Sequence, residues 1–181
     1  MIRNEVLEAL LPVFRERGVE GATISEIAKA TGLGKATLYH HFPAGKDEML
    51  EAIVQRVLQH LDDAVFAPLS GIDTPKRRLL AVIRGLAAYV ADGERNCLLA
   101  MLALGTARAR IAVLVAPRME RWTAGLERLY GTAGLSEKRA GRAARDLMIR
   151  FQGAIVMSRL LGDTQSFEYT IRRLVRELEK L

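Results

Sequence analysis

Hydrophobic residues recur at spacings of three and four along most of the chain, without sustained two-residue alternation, and this pattern predicts helices and no strands. Val6, Leu10 and Phe14 share one face of a first helix over about 2–17, which Gly18 ends. Thr23-Ile24-Ser25-Glu26 has the form of a capping box: the Thr23 oxygen accepts from the Glu26 amide while Glu26 reaches back. It opens a short helix that stops near Thr31-Gly32, and a second short helix covers 35–42 before Pro43 and Gly45. A long helix follows over 46–66. Thr74 caps another, with Pro75 in its first position, that runs to about Val90 and is broken by Asp92-Gly93. Segments 96–104 and 108–130 come next, the latter with a kink or restart at Pro117. Ser136 caps a helix reaching Leu161, about 40 Å long at the ~1.5 Å rise per residue. The last helix, 166–180, sets Phe167, Ile171, Leu174, Leu178 and Leu181 on one seam that wants a partner helix. The expected class is all-α, with about nine helices.

Segment 23–42 has helix-turn-helix mechanics. Gly32-Leu33-Gly34 permits a tight turn, Leu33 can plug the space between the two helices, and small Ala28 allows a close crossing. Ile27, Leu38 and Phe42 supply the shared core, which leaves Lys35, Ala36, Thr37, Tyr39, His40 and His41 facing outward. Such small, hydrogen-bonding or cationic groups suit a helix entering a DNA major groove. Lys46, with the free amides opening the next helix, is placed to hold a phosphate. The expected organisation is a DNA-binding head over 1–46 and a larger helical body over 47–181.

Composition changes this picture little. Half the residues are hydrophobic, enough for a core. The net charge of +6 does not mark a DNA face, because residues 1–50 hold six Lys/Arg against seven Asp/Glu and residues 51–181 hold 21 against 14. The lone Cys97 can form no internal disulfide, and with no apolar run long enough to span a bilayer and no signal-like N-terminus, a cytoplasmic protein is expected. Enzyme signatures are missing: no phosphate-cradling glycine motif, no Gly-x-Ser-x-Gly, no His-Glu-x-x-His and no cysteine pair for metal. No catalytic residue, metal or cofactor is expected.

Thr23-Ile-Ser-Glu-Ile-Ala-Lys-Ala-Thr-Gly, followed by Lys35-Ala-Thr-Leu-Tyr-His-His-Phe42 and Lys46, closely resembles the TetR (tetracycline-repressor-like) family over about residues 2–50. The His-His-Phe-Pro-Ala-Gly-Lys stretch, one residue longer before its lysine than the commoner form, is similar to the LmrA/YxaF-type branch. The resemblance implies that Lys35 and Ala36 lie at the groove and that Thr37 and Tyr39 bond phosphates. It further implies that His40 and His41 touch phosphate or base edges and that Thr23 holds a backbone phosphate. Gly34 stands where many members carry Ser or Thr, which removes one phosphate contact. The resemblance also implies a small-molecule pocket, with an apolar or aromatic effector, and a homodimer on a palindromic operator. Tyr89, Cys97, Met101, Met119, Trp122, Met148 and Phe151 are the candidate pocket liners. Phe151, Ala154, Ile155, Ser158 and Leu161, with Phe167, Ile171 and Leu174, are the candidate dimer interface, forming a four-helix bundle across a two-fold axis.

Blander readings stand beside these. Adjacent histidines on a helix point about 100° apart, so a metal site is disfavoured and solvated imidazoles are the alternative to DNA contact. Cys97 could sense oxidants, but a lone cysteine in an apolar run is more often a small core residue. The cluster Lys138, Arg139, Arg142 and Arg145 reads first as a solvated face. A helical adaptor for protein partners would account for the terminal helices but would leave the outward side of 35–41 unexplained.

Overall fold

The computed structural model describes residues 3–181; Ile2, the expected start of the first helix, lies outside them. Among the described residues all regular structure is helical. The nine α-helices of the described residues are α1 (Arg3–Gly21), α2 (Ile24–Thr31), α3 (Lys35–His41), α4 (Lys46–Leu61), α5 (Pro75–Tyr89), α6 (Leu98–Leu104), α7 (Arg108–Thr132), α8 (Glu137–Leu161) and α9 (Gln165–Glu179). No described helix is long and apolar enough to cross a membrane. The chain divides into two compact units, one of Met1–Leu58 with Asn96–Ala116 and one of Gln59–Arg95 with Pro117–Leu181.

The first unit contains α1–α3, most of α4, α6 and the start of α7. Its core is built from the expected positions: Val6, Leu10 and Phe14 of α1 and Ile27 of α2 are buried with Leu38 of α3 and Phe42 just beyond it. Gly18 interrupts α1 with φ 65° and ψ −169°, but one further turn follows it to Gly21. The last carbonyls of α1, up to Gly21, have no partner within the helix and need other donors. Segment 96–116 joins this unit although it lies far along the chain. Its α6 packs on α1, the Glu20 carboxylate accepts from the Thr106 amide and hydroxyl, and Arg110 pairs with Asp47.

In the second unit α9 packs along α8 and against α5. Phe151 and Phe167 meet edge to face, ring centroids 5.9 Å apart, at the α8–α9 contact. Leu174 and Leu178 are buried as well, so the α9 seam finds its partner helix within its own chain. From the sequence α4 should reach Phe66, but regular helix stops at Leu61 and a wide π turn covers Asp62–Phe66. Two contacts draw this turn out of register. The Asp62 carboxylate is gripped by Arg118 and Arg121 and by Trp122 Nε1 at 2.7 Å, while the Phe66 ring stacks on Trp122 at 4.4 Å. Partial burial pushes the Asp62 pKa up, but the hydrogen bonds from Arg121 and Trp122 and the two guanidinium charges outweigh it and hold it below the usual carboxylate value.

Two further local expectations are not met. Pro117 neither restarts nor ends α7, which is continuous from Arg108 to Thr132; the division between the units falls beside it, after Ala116. Ser136 starts α8 without a side-chain cap, whereas the Thr74 hydroxyl does accept from the Arg77 amide at the start of α5.

Candidate nucleic-acid interface

The hairpin of α2 and α3 is set by three local devices. The Thr23 hydroxyl caps α2, accepting from the Glu26 amide at 3.2 Å. The capping box is only half formed: Glu26 turns to Arg17, at 3.0 Å, instead of reaching back. Gly32 closes α2 in the left-handed region at φ 68°, which a residue with a Cβ reaches at a cost. Thr31, not among the residues expected to shape the turn, has a buried hydroxyl that donates to the Ile27 carbonyl at 2.9 Å and accepts from the Leu33 amide at 3.3 Å. Thr31 therefore ties the end of α2 to the turn. A threonine immediately before a turn glycine was the available signal.

Leu38 and Phe42 are fully buried, and Leu33 is half-buried over the turn. Lys35, Ala36, Thr37, Tyr39 and His40 are exposed, Tyr39 by 48 %, and His41 is half-buried. The two imidazoles meet edge-on, 5.7 Å between centroids. Among the described residues no group of three or more His, Cys, Asp or Glu is placed to hold a metal. Thr23 is exposed as well. α3 thus presents a short strip of donors, one cation and a phenol with its apolar side turned in, which is the chemistry of groove and phosphate contact. Gly45, in the extra-length loop before α4, holds φ +69°, and a Cβ there would come within 3.3 Å of the Tyr39 ring. The loop thereby lies against the Tyr39 ring.

Lys46 has a partner within its own unit. Its Nζ donates to the Val19 carbonyl at 2.8 Å, one of the acceptors left open where α1 ends. Just before α4 the Glu48 carboxylate accepts from the Ala44 amide at 3.0 Å, and Asp47 lies in the first turn of the helix. A carboxylate already at a helix N-terminus competes with a phosphate for the same amides.

The family model described as "Bacterial regulatory proteins, tetR family" matches residues 6–53, the stretch that carries this hairpin. Over residues 6–53 the chain is similar to the TetR family. The chain is 23 % identical to "HTH-type transcriptional regulator LmrA" of Bacillus subtilis, over 86 % of its own length and 85 % of LmrA. The fold is that of a TetR transcriptional regulator from Chloroflexus aurantiacus, with a TM-score of 0.80, 20 % identity, and coverage of 98 % of this chain and 93 % of that one. It also matches AibR, solved in complex with isovaleryl coenzyme A and operator DNA, with a TM-score of 0.69, 22 % identity, and coverage of 96 % and 95 %. These relatives are named as transcriptional regulators.

The residues expected to line an effector pocket are divided between the units. Cys97 and Met101 belong to the first; Tyr89, Met119, Trp122, Met148 and Phe151 belong to the second. Tyr89, Cys97, Trp122 and Phe151 are buried, and the three methionines are half-buried. Trp122 is engaged on both its ring face, by Phe66, and its N–H, by Asp62. Tyr89 lies beside the His60 ring at 6.1 Å.

Most of the expected dimer-interface residues face inward, which corrects the expected stripe. Phe151, Ala154, Ile155 and Ser158 of α8 and Phe167 and Leu174 of α9 are buried inside the protomer, Phe151 with 1 % of its surface exposed. The Ser158 hydroxyl accepts from the Phe167 amide. Ile171 is half-buried and only Leu161 is open. What α8 leaves to solvent is a different stripe: Ile149, Val156, Met157 and Leu160, exposed by 46–75 %, with Leu161 beside them. Ile149, Gly153, Val156 and Leu160 follow the i, i+4, i+7, i+11 rule of a helix face. From 147 to 161 α8 carries apolar residues on two sides, interrupted by Arg150, Gln152, Ser158 and Arg159, and that two-sided pattern was the signal available.

Proposed function

We propose that this chain is a ligand-responsive transcriptional regulator, by default a repressor, that binds a palindromic operator as a homodimer in the cytoplasm. The observation that carries this reading is the orientation of α3, with Leu38 buried in the hairpin core and Lys35, Thr37, Tyr39 and His40 open to solvent. The DNA-binding domain is taken as 1–46 and the body as 47–181. Thr23, Lys35, Ala36, Thr37, Tyr39, His40 and His41 are the proposed contacts. Lys46 acts chiefly by fixing α4 to the end of α1. The α8 stripe around Val156 and Leu160 is the proposed seat of the two-fold, because exposed apolar residues in one contiguous line mark association surfaces. Two copies joined there place two recognition helices for half-sites about one DNA turn apart.

The effector is proposed to be a small apolar or aromatic molecule held by the body. AibR, a protein of this fold, was solved with both isovaleryl coenzyme A and operator DNA, which supports the pairing of the two ligand classes in one chain. α4 begins next to the head and runs on to Leu61, and it is the proposed transmitter. Linkage then requires operator DNA to weaken effector binding by the same factor by which effector weakens operator binding.

The test is fluorescence anisotropy with duplex DNA from beside the protein's own gene, titrated over salt. Binding is expected to saturate and to fall steeply on a log–log salt plot. Tyr39→Ala is expected to weaken every sequence alike, by roughly tenfold, as loss of a phosphate contact does. Absence of saturable binding to any such duplex would sink the regulator reading.

A further inference from the structure

Where α7 and α9 end and α8 begins, a groove of about 410 Å³ remains open within the second unit. Its floor is apolar, made by Leu174 and Leu178 of α9 with Leu135 of the connecting loop. Tyr130 of α7 completes it. Burial, with Arg150 opposing and Glu177 and Asp146 adding, pushes the Tyr130 pKa up to about 12, so this residue is neutral at physiological pH.

The charges around the groove are unequal. Its two acids are already answered: Arg150 pairs with Glu177 at 2.8 Å and with Asp146 at 3.4 Å, and Glu177 also takes Arg173 at 3.1 Å. The cations Arg139, Arg142 and Lys180 line the same groove and, among the described residues, make no ion pair or side-chain hydrogen bond. A solvated basic face needs no cavity, and a plain packing fault needs no cations. Their coincidence is the combination that an amphipathic anion requires: apolar area for a chain and unpaired positive charge for a head.

We propose that this groove is a binding site for a small alkyl carboxylate, with the carboxylate at Arg139, Arg142 and Lys180 and the chain over Leu135, Leu174 and Leu178. Arg139, Arg142 and Lys180 belong neither to the exposed α8 stripe nor to the effector residues expected from sequence, so the site stands apart from both. It does not depend on the DNA-binding reading.

Calorimetric titration of the full chain with octanoate tests it, beside octanamide and inorganic phosphate as probes that each keep half the chemistry. Octanoate is expected to bind saturably, and octanamide and phosphate each to bind at least tenfold more weakly. Arg139→Gln with Arg142→Gln is expected to cost roughly tenfold for octanoate, the worth of two partly solvated charge contacts, with an unchanged thermal melt. Ala143→Trp keeps every cation and fills the groove, and is expected to remove octanoate binding. If that variant does not fold, the paired glutamine variant decides. Equal octanoate affinity in the glutamine variant, phosphate binding as tight as octanoate, or no saturable octanoate binding would each overturn the proposal. A fall in non-specific DNA affinity in the glutamine variant, with octanoate binding intact, would overturn it in favour of a DNA-facing patch.

Discussion

The outward faces of α3 and α8 are opposite answers to exposure. α3 turns one leucine inward and shows the solvent a lysine, a threonine, a tyrosine and histidines; α8, over its second half, buries one apolar stripe and shows the solvent another. Their units differ in the same sense. Segments distant in sequence are tied together in the first by polar links at the surface, Arg56–Glu8, Lys46–Val19, Glu20–Thr106 and Arg110–Asp47. The second has a large aromatic and aliphatic interior around Phe151, Phe167, Phe66 and Trp122. A scattered exposed leucine means little, since most protein surface is apolar anyway. A row of them at helical spacing on a helix already buried on its other side is the surface on which the second copy is proposed to dock. Exposed polar residues carry information only through what stands behind them, here Leu38 and Phe42.

The contrast breaks most visibly if the α8 stripe is made polar. Val156→Glu with Leu160→Glu is expected to leave the protomer folded, because both side chains already face water, and to yield monomers by light scattering. Operator affinity is expected to fall by about a hundredfold or more, the scale on which two linked sites outdo one. A dimer of unchanged affinity would show that the stripe is not the two-fold contact.

Phe151→Ala sharpens the contrast from the other side. It removes a ring that is buried within the protomer and in contact with Phe167, so about 3–5 kcal/mol of unfolding free energy should be lost. Leu160→Ala, on the exposed face 75 % open to solvent, should cost the isolated protomer under about 0.5 kcal/mol. Urea denaturation of both variants, with Phe151→Ala repeated on top of Val156→Glu and Leu160→Glu, separates core from interface. The cost of losing the Phe151 ring should be the same with and without the two charges. Equal costs for Phe151→Ala and Leu160→Ala would erase the distinction between the two stripes.

The asymmetry between faces also explains what could be read from the sequence. The hairpin was legible because its determinants are local: a cap at Thr23, a left-handed glycine at 32, and Ile27, Leu38 and Phe42 at helical spacing. The order and ends of most helices were legible for the same reason. The partner of each apolar face was not. α8 carries two stripes of equal quality, and only the path of α9 decides that Phe151 belongs to the core and Leu160 to the surface. Lys46 has a further partner that its own segment does not announce. A lysine opening a helix reads as a phosphate grip, but its acceptor is a carbonyl 27 residues earlier, exposed by the end of α1. The π turn at Asp62 likewise depends on Arg118, Arg121 and Trp122, more than fifty residues onward.

The smallest expected effect belongs to the polar links of the first unit, and Glu20 is the one to measure. Hydrogen bonds from the Thr106 hydroxyl and amide, assisted by the Lys46 charge, bring its pKa down to about 2. A carboxylate whose pKa is lowered on folding favours the folded state while it is ionised, so its contribution is complete above the ordinary glutamate range. It declines as pH falls through that range and is gone once pH passes below about 2. Glu20 is solvent-exposed, and surface links of this kind are weak. Glu20→Gln should therefore barely move stability at neutral pH and should remove only a small part of the acid sensitivity below the glutamate range. The direct measurement is the carbon chemical shift of the Glu20 carboxyl as a function of pH, with Thr106→Ala, which deletes the hydroxyl donor, as the comparison. An upward move of the midpoint in Thr106→Ala confirms a polar tether between α1 and segment 96–116. A midpoint at the ordinary glutamate value in the parent protein would mean that segment 96–116 is held to its unit by the apolar contacts of α6 alone, and the two units would then differ less in kind than their surfaces suggest.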